Sequence, residues 1–306
     1  MRTSVFFPQA DLLVQVLPFV HAERCFALKG GTALNFFVRD FPRLSVDIDL
    51  VYLPVEDRAT SLRGIDAALR RIAAAIKRAL PGLKVRAQQP AGQDHVVKLG
   101  VRAPGGAEVI IEPSTVLRGA LHPTSDMTLA PKAAELFGRS ATMRVVSLPD
   151  LYGGKICAAL DRQHPRDLFD VHLLLKNEGL TTEIRQAFVV FLASHDRPMN
   201  ELLTPNRKDL KQVYEDQFNG MTMEPVALTV LEAAREELVT RINAELTREE
   251  REFLLSLKRL EPQWELLGLP GVELLPGPQW KLYNLRKMDA VKRQAAETQL
   301  RNKLGL

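Results

Sequence analysis

Apolar and polar positions follow two different rhythms along this chain, and the rhythm changes near residue 147. Residues 9–20 repeat apolar side chains at helical spacing. The stretch Thr32–Arg39 predicts a helix opening from Gly30-Gly31, and Val46–Tyr52 alternates as a strand. Thr60–Leu80 carries Ala, Leu, Ile and Arg at helical spacing and stops at Pro81-Gly82. Three β-like runs follow, at Val85–Gln88, Val96–Arg102 and Glu108–Glu112; Pro104-Gly105-Gly106 separates the last two as a hairpin turn. Met143–Val146 reads as one more short strand.

Beyond this point the pattern is helical almost throughout. Ser147-Leu148-Pro149-Asp150 is a start signal, with a Ser cap, an early Pro and an acid in the first turn. That helix is expected to run to about Arg162, where His164-Pro165 breaks it, and a second begins near Pro165 and ends at Asn177–Gly179. Further helices fit Thr182–Ser194, Pro225–Ala244 and Arg248–Leu260, with another after Tyr283. The expected architecture is α+β: residues 1–147 form a mixed sheet with flanking helices, and residues 148–306 form a helical domain.

Composition narrows the class. With 46% hydrophobic and 25% charged residues over 306 positions, this is an ordinary globular chain. Cys25 and Cys157 make no disulfide framework, which fits a reducing, cytoplasmic setting. Pro8, Gln9, Asp11 and Gln15 interrupt the apolar N-terminal run, which reads as a retained helix and not a signal peptide. No run reaches the roughly 18 apolar residues of a membrane span. The net charge of +4 is concentrated. Residues 281–306 hold seven Lys and Arg against Asp289 and Glu297, which is compatible with a polyanionic partner or with a solvated basic helix.

The chemistry centres on Gly30-Gly31-Thr32 followed by Asp47-Ile48-Asp49. A glycine turn at a helix start presents backbone N–H groups where partial positive charge suits a phosphate. Strand positions i and i+2 share a face, so Asp47 and Asp49 point together while Val46, Ile48 and Leu50 turn inward. Two adjacent hard oxygen donors can hold Mg²⁺ against a triphosphate. Thr32 is placed to cap the helix or meet a phosphate oxygen. Glu112 ends a strand; beside Asp49 it would be a third carboxylate, for metal or for general base work.

Lys155 follows Gly153-Gly154 inside a helix, where each glycine costs about 1 kcal/mol. Close approach of a backbone or a ligand would offset that. Arg162, seven residues on, shares the face of Lys155, so two cations would project together toward a triphosphate or toward solvent. In Arg166-Asp167-Leu168-Phe169-Asp170 the acids serve the helix start. The six histidines lack zinc-ligand spacing, and Trp264 and Trp280, among Leu and Pro, read as packing residues.

Taken together, these elements resemble the AbiEii/AbiGii-type nucleotidyltransferase toxins, which share a core fold with the DNA polymerase β superfamily and are related to the MenT toxins. The similarity runs through Lys29–Leu34, Arg43–Leu50, Glu112 with Val116-Leu117-Arg118-Gly119, Leu148–Lys155, Arg162 with Arg166–Asp170, His195-Asp196-Arg197-Pro198 and Trp280–Leu285. The resemblance implies a toxin of an abortive-infection, type IV toxin–antitoxin system. Such a toxin would move NMP from NTP to an RNA 3′-hydroxyl, notably the tRNA acceptor end, blocking translation.

It implies Mg²⁺ at Asp47 and Asp49, and nucleotide contacts from Lys29, Gly30, Gly31, Thr32, Ser45, Lys155, Arg162 and Arg166. Glu112, Lys155 and Asp167 would join the catalytic set, with the helical domain contributing Lys155 and Asp167 to the cleft. A separately encoded antitoxin, either a repressor or a kinase acting on Ser45, is also implied. Glu112 departs from the Asp usual in the superfamily. The competing readings are a nucleotide-binding protein without turnover and a transferase acting on protein.

Overall fold

The computed structural model describes every residue except 91 and 93. Two compact units divide it: residues 1–147 with 218–225, and residues 148–217 with 226–306. The class is α+β.

In the first unit, among the described residues, seven strands make one mixed sheet. They are β1 (Phe26–Lys29), β2 (Asp47–Tyr52), β3 (Lys84–Gln88), β4 (Lys98–Arg102), β5 (Glu108–Pro113), β6 (Ser125–Thr128) and β7 (Thr142–Val145). Their order is β3-β4-β5-β2-β1-β7-β6. β2 pairs antiparallel with β1 and parallel with β5, and β1 pairs parallel with β7. The β4–β5 hairpin turns at Pro104-Gly105-Gly106, where Gly106 takes φ +90°.

The sequence pattern misses β1 and β6, for opposite reasons. β1 is central and apolar up to its last residue, Phe26, Ala27 and Leu28 all buried, but only four residues long. β6 is an edge strand whose other side is unpaired, so its Ser-Asp-Met-Thr carries no apolar alternation.

Helices α1 (Phe7–His21), α2 (Gly30–Ala33), α3 (Arg58–Ala79) and α4 (Pro131–Phe137) flank the sheet. α3 buries Ile65, Ala68, Leu69, Ile72 and Ile76, the i, i+3, i+4 stripe of an amphipathic helix. The Asp57 side chain caps it, accepting from the Thr60 N–H at 3.0 Å. α2 continues as a π-helical turn at Leu34–Val38 and not as the uniform helix expected to Arg39. After it, Phe41 takes φ 57° while fully buried against Phe36 and Phe137. That conformation costs a non-glycine residue about 1 kcal/mol. It is held by residues 218–225: Leu44 N–H donates to Met221 O at 2.8 Å, and Met223 N–H donates to Pro42 O at 2.9 Å.

The second unit is helical: α5 (Leu148–Arg162), α6 (Pro165–Lys176), α7 (Thr182–Ser194), α8 (Met199–Leu203), α9 (Lys211–Gln217), α10 (Leu228–Glu245), α11 (Arg248–Lys258), α12 (Pro276–Lys287) and α13 (Ala290–Leu304). α5 packs on α7 at backbone distance, and this accounts for one of the paired glycines. A Cβ on Gly153 would stand 2.8 Å from the Ala187 carbonyl carbon and 2.9 Å from Phe188 N. The neighbouring backbone, not a ligand, requires that glycine. No helix among the described residues is long and apolar enough to cross a membrane.

The two glycines therefore separate on substitution. Gly153→Ala should destabilise by about 2 kcal/mol through overpacking. Gly154→Ala, whose Cβ would meet only the Phe191 ring at 3.5 Å, should gain up to about 1 kcal/mol from helix propensity. Urea midpoints of the two variants moving in opposite directions from wild type would check this.

Candidate active site

Register builds the group in the sheet unit. β1 and β2 align Lys29 with Asp49, so the bend that follows Lys29 lands on the Asp49 side chain. Gly30 takes φ +72°, and a Cβ there would lie 2.5 Å from Asp49 Oδ2. Only glycine satisfies both the backbone angle and the space. One residue on, a Gly31 Cβ would lie 2.7 Å from Arg43 Nη2 and 3.2 Å from Ser45 Oγ. The glycine bend, the acid strand and the loop before it thus converge.

Asp47 and Asp49 are half-buried on one side of β2, and Ile48 and Leu50 between and beyond them are fully buried. Val46, expected to turn inward with these two, precedes the strand and is only half-buried. Thr32 is buried at the head of the bend; its hydroxyl donates to Asp47 O at 2.6 Å. Ser45 Oγ, also buried, sits 2.9 Å from Thr32 Oγ1. A hydroxyl has one proton to give, so Ser45 donates back to Thr32, and the two form a relay onto the start of β2.

Glu112 is in register with Asp49 on the parallel strand β5. It is half-exposed and paired with Lys98 at 2.8 Å. Among the described residues no three His, Cys, Asp or Glu side chains gather as a metal-binding group. A pair of carboxylates suits Mg²⁺, which keeps several waters and binds through one or two carboxylates plus substrate phosphates. The donors present fit that ion.

Arg43 is the residue that sequence reasoning passed over. It is the largest fully buried side chain, with Nη1 donating to Leu44 O at 2.8 Å and Nη2 against Gly31. The local sequence gave little signal, because the segment that braces it comes from residues 218–225.

The helical unit holds the other group. Lys155, at 5% side-chain exposure, donates to Asp167 Oδ1 at 2.8 Å and pairs with Asp170 at 3.0 Å. Asp167 is 1% exposed and also receives Arg162 through Nε and, at 2.9 Å, Nη2. Burial pushes the Asp167 carboxyl up, but the charge of Lys155 and then the Arg162 hydrogen bond outweigh it and hold it well below the usual carboxylate range. The expected pair of projecting cations thus divides. Lys155 turns into the unit between two acids, while Arg162 keeps 59% of its side chain exposed. Gln163, at φ 51°, makes the tight turn between α5 and α6 that lets both reach Asp167. Arg166, half-buried, follows at the head of α6, which His164 caps through Nδ1 at 3.1 Å.

A family model described as "Nucleotidyl transferase AbiEii toxin, Type IV TA system" matches residues 11–272. The chain belongs to the AbiEii nucleotidyltransferase toxin family. Among solved structures, it is similar to MenT4, a nucleotidyltransferase toxin from Mycobacterium tuberculosis H37Rv. The TM-score is 0.56 at 17% identity, covering 95% of this chain and 91% of that one, and the likeness is one of fold. A search of curated proteins found no match. This AbiEii-family protein is thus a nucleotidyltransferase-type toxin of a type IV toxin–antitoxin system, with NTP as substrate class and an antitoxin as counterpart.

Two outcomes follow from the geometry. Gly30→Ala should abolish nucleotidyl transfer and lower the melting temperature, because the added Cβ displaces Asp49; the same change at open Gly82 should do neither. Asp167→Asn should cost about 3 kcal/mol at neutral pH, since it breaks a buried pair. The folded carboxyl lies below its ordinary 3.8, so this contribution is complete above that value and is lost as pH falls through the folded one. Melting curves of wild type and variant should therefore stay parallel above pH of about 5 and converge below about 4.

Proposed function

We propose that this protein transfers a nucleoside monophosphate from an NTP to the 3′-hydroxyl of an RNA, with the tRNA acceptor end as substrate, and so blocks translation. The observation that carries the reading is the approach of the Gly30 bend to the Asp49 carboxylate. A phosphate-seating turn and a metal-type acid pair share one corner of the sheet unit.

Asp47 and Asp49 would hold Mg²⁺, which when bound neutralises charge on the phosphoryl group in transfer. Gly30 and Gly31 are assigned to offer backbone N–H groups to phosphate oxygens. Lys29 and Arg43 add positive charge at either side of the bend. Thr32 and Ser45 hold the start of β2 and so fix where Asp47 points. Glu112, held by Lys98, is the carboxylate assigned to take the proton of the attacking hydroxyl. In the helical unit, Arg166 and the exposed Arg162 are assigned to anionic substrate, while Asp167, itself held by Lys155, holds Arg162 in place. Ser45 as a target of antitoxin control would act on the same relay, since a phosphate there displaces the Thr32 hydroxyl.

The test incubates the protein with each radiolabelled NTP, Mg²⁺ and total tRNA. Labelled tRNA is expected, and Asp47→Asn should reduce labelling by about a thousandfold with an unchanged melt. Full labelling by that variant would overturn the site assignment. A labelled polypeptide with unlabelled RNA would move the acceptor to protein.

A further inference from the structure

The basic C-terminal stretch carries an aromatic feature that its sequence conceals. α12 starts at Pro276, so Trp280, Tyr283 and Lys287 fall at i, i+3 and i+7 and line one helix face. The Trp280 and Tyr283 rings stack with centroids 5.3 Å apart and planes 22° apart. Lys287 Nζ stands 4.0 Å from the Tyr283 centroid. The opposite side of α12 is buried through Lys281, Leu282 and Leu285. Lys281 Nζ donates to the carbonyls of His195 and Arg197, the latter at 3.1 Å. The helix is therefore anchored by one face, and the aromatic face remains outside it. Trp280 is half-buried, while Tyr283 is 45% exposed.

Exposed charge along this stretch is one-sided. Arg286, Lys287 and Lys292 are exposed. The two acids of the stretch are engaged elsewhere. Asp289 caps α13 through the N–H groups of Val291 and Lys292, and Glu297 lies between Arg259 and Arg301. Trp280 stacks on the Tyr283 ring, and the exposed, rotatable Lys287 lies over it. A base taking the place of that ammonium leaves it to meet a phosphate. The ring and its cations, whose local acids are already committed, thus match the two demands of a single-stranded polynucleotide: a π-face for a base and positive charge for phosphates. An apolar protein partner would not call for cations spaced around the ring.

We propose that Trp280, Tyr283 and Lys287, flanked by Arg286 and Lys292, form a stacking platform on which single-stranded RNA docks. The assignment deepens, and rests on, the reading that RNA is the acceptor. A base replaces Lys287 over the Tyr283 ring, Trp280 backs Tyr283, and the displaced Lys287 with the other cations takes the adjoining phosphates. Base identity is unread, so the platform tolerates sequence.

The test is fluorescence anisotropy of a short labelled oligouridine against the full chain. It is joined by tryptophan emission in a Trp264→Phe background, where Trp280 is the one tryptophan left. Oligouridine should quench that emission. Tyr283→Ala should weaken binding by about tenfold or more, and Tyr283→Phe should bind like wild type. Lys287→Ala should flatten the salt dependence by about one unit of slope. Asp47→Asn should bind unchanged, which separates docking from turnover.

If Tyr283→Ala binds as tightly as wild type, or Tyr283→Phe weakens binding as Ala does, the platform is refuted even where wild type labels RNA. If Tyr283→Ala spares RNA but abolishes capture of the antitoxin, the face belongs to a protein and the proposal fails. Quenching and ring-dependent affinity in a protein that never labels RNA would uphold docking and refute the acceptor instead. A circular-dichroism melt matching wild type shows that Tyr283→Ala is folded.

Discussion

The sheet unit turns on one contact, the seat of a glycine backbone directly against a carboxylate. Register makes it unavoidable. Once Lys29 pairs with Asp49 across β1 and β2, the next residue has to bend over the acid, and no Cβ fits there. The bend and the acid therefore border the same small volume. In the function proposed above, that volume seats a cation with an attached polyphosphate. Thr32 then links the bend back to the acid strand through Asp47 O, so bend and strand move as one piece.

That rigidity is assembled from distant chain. The Phe41 backbone would relax if left alone, but residues 218–225 bond Pro42 and Leu44 from outside the local sequence. The loop bearing Arg43 and Ser45 is over-determined on both sides. Strain held in this way places a buried guanidinium beside Gly31.

Much of this was legible. The glycine turn, the Asp47–Asp49 strand, α3 and α5 to α7 follow from spacing, because each is a long or strongly marked pattern with clear stops. What escaped did so for physical reasons. β1 is too short for a period, and β6 is an edge with no buried face. Lys155 was expected to project with Arg162 toward a triphosphate or toward solvent, whereas it turns between Asp167 and Asp170, one turn further on; the apolar run around it was the sign of that burial. Gly153 and Gly154 were read as one signal, whereas only Gly153 is pressed by another backbone. Arg43 left little mark because its neighbours in space are some 180 residues away in sequence.

The aromatic face of α12 shows why element boundaries decide chemistry. If a helix begins after Tyr283, as the sequence suggested, Trp280 lies in a Pro- and Leu-rich loop and reads as packing. Starting at Pro276 instead, the same residues acquire a common face, and a basic tail becomes a basic tail around a ring. Proline at the first turn is the physical cause: it lacks an N–H that the first turn does not use, and its fixed φ is already helical. Shifting the start from beyond Tyr283 back to Pro276 converts one packing tryptophan and a solvated charge run into the surface proposed to hold a nucleic acid strand. Composition cannot reveal that step, because it preserves every residue and changes only which of them are neighbours.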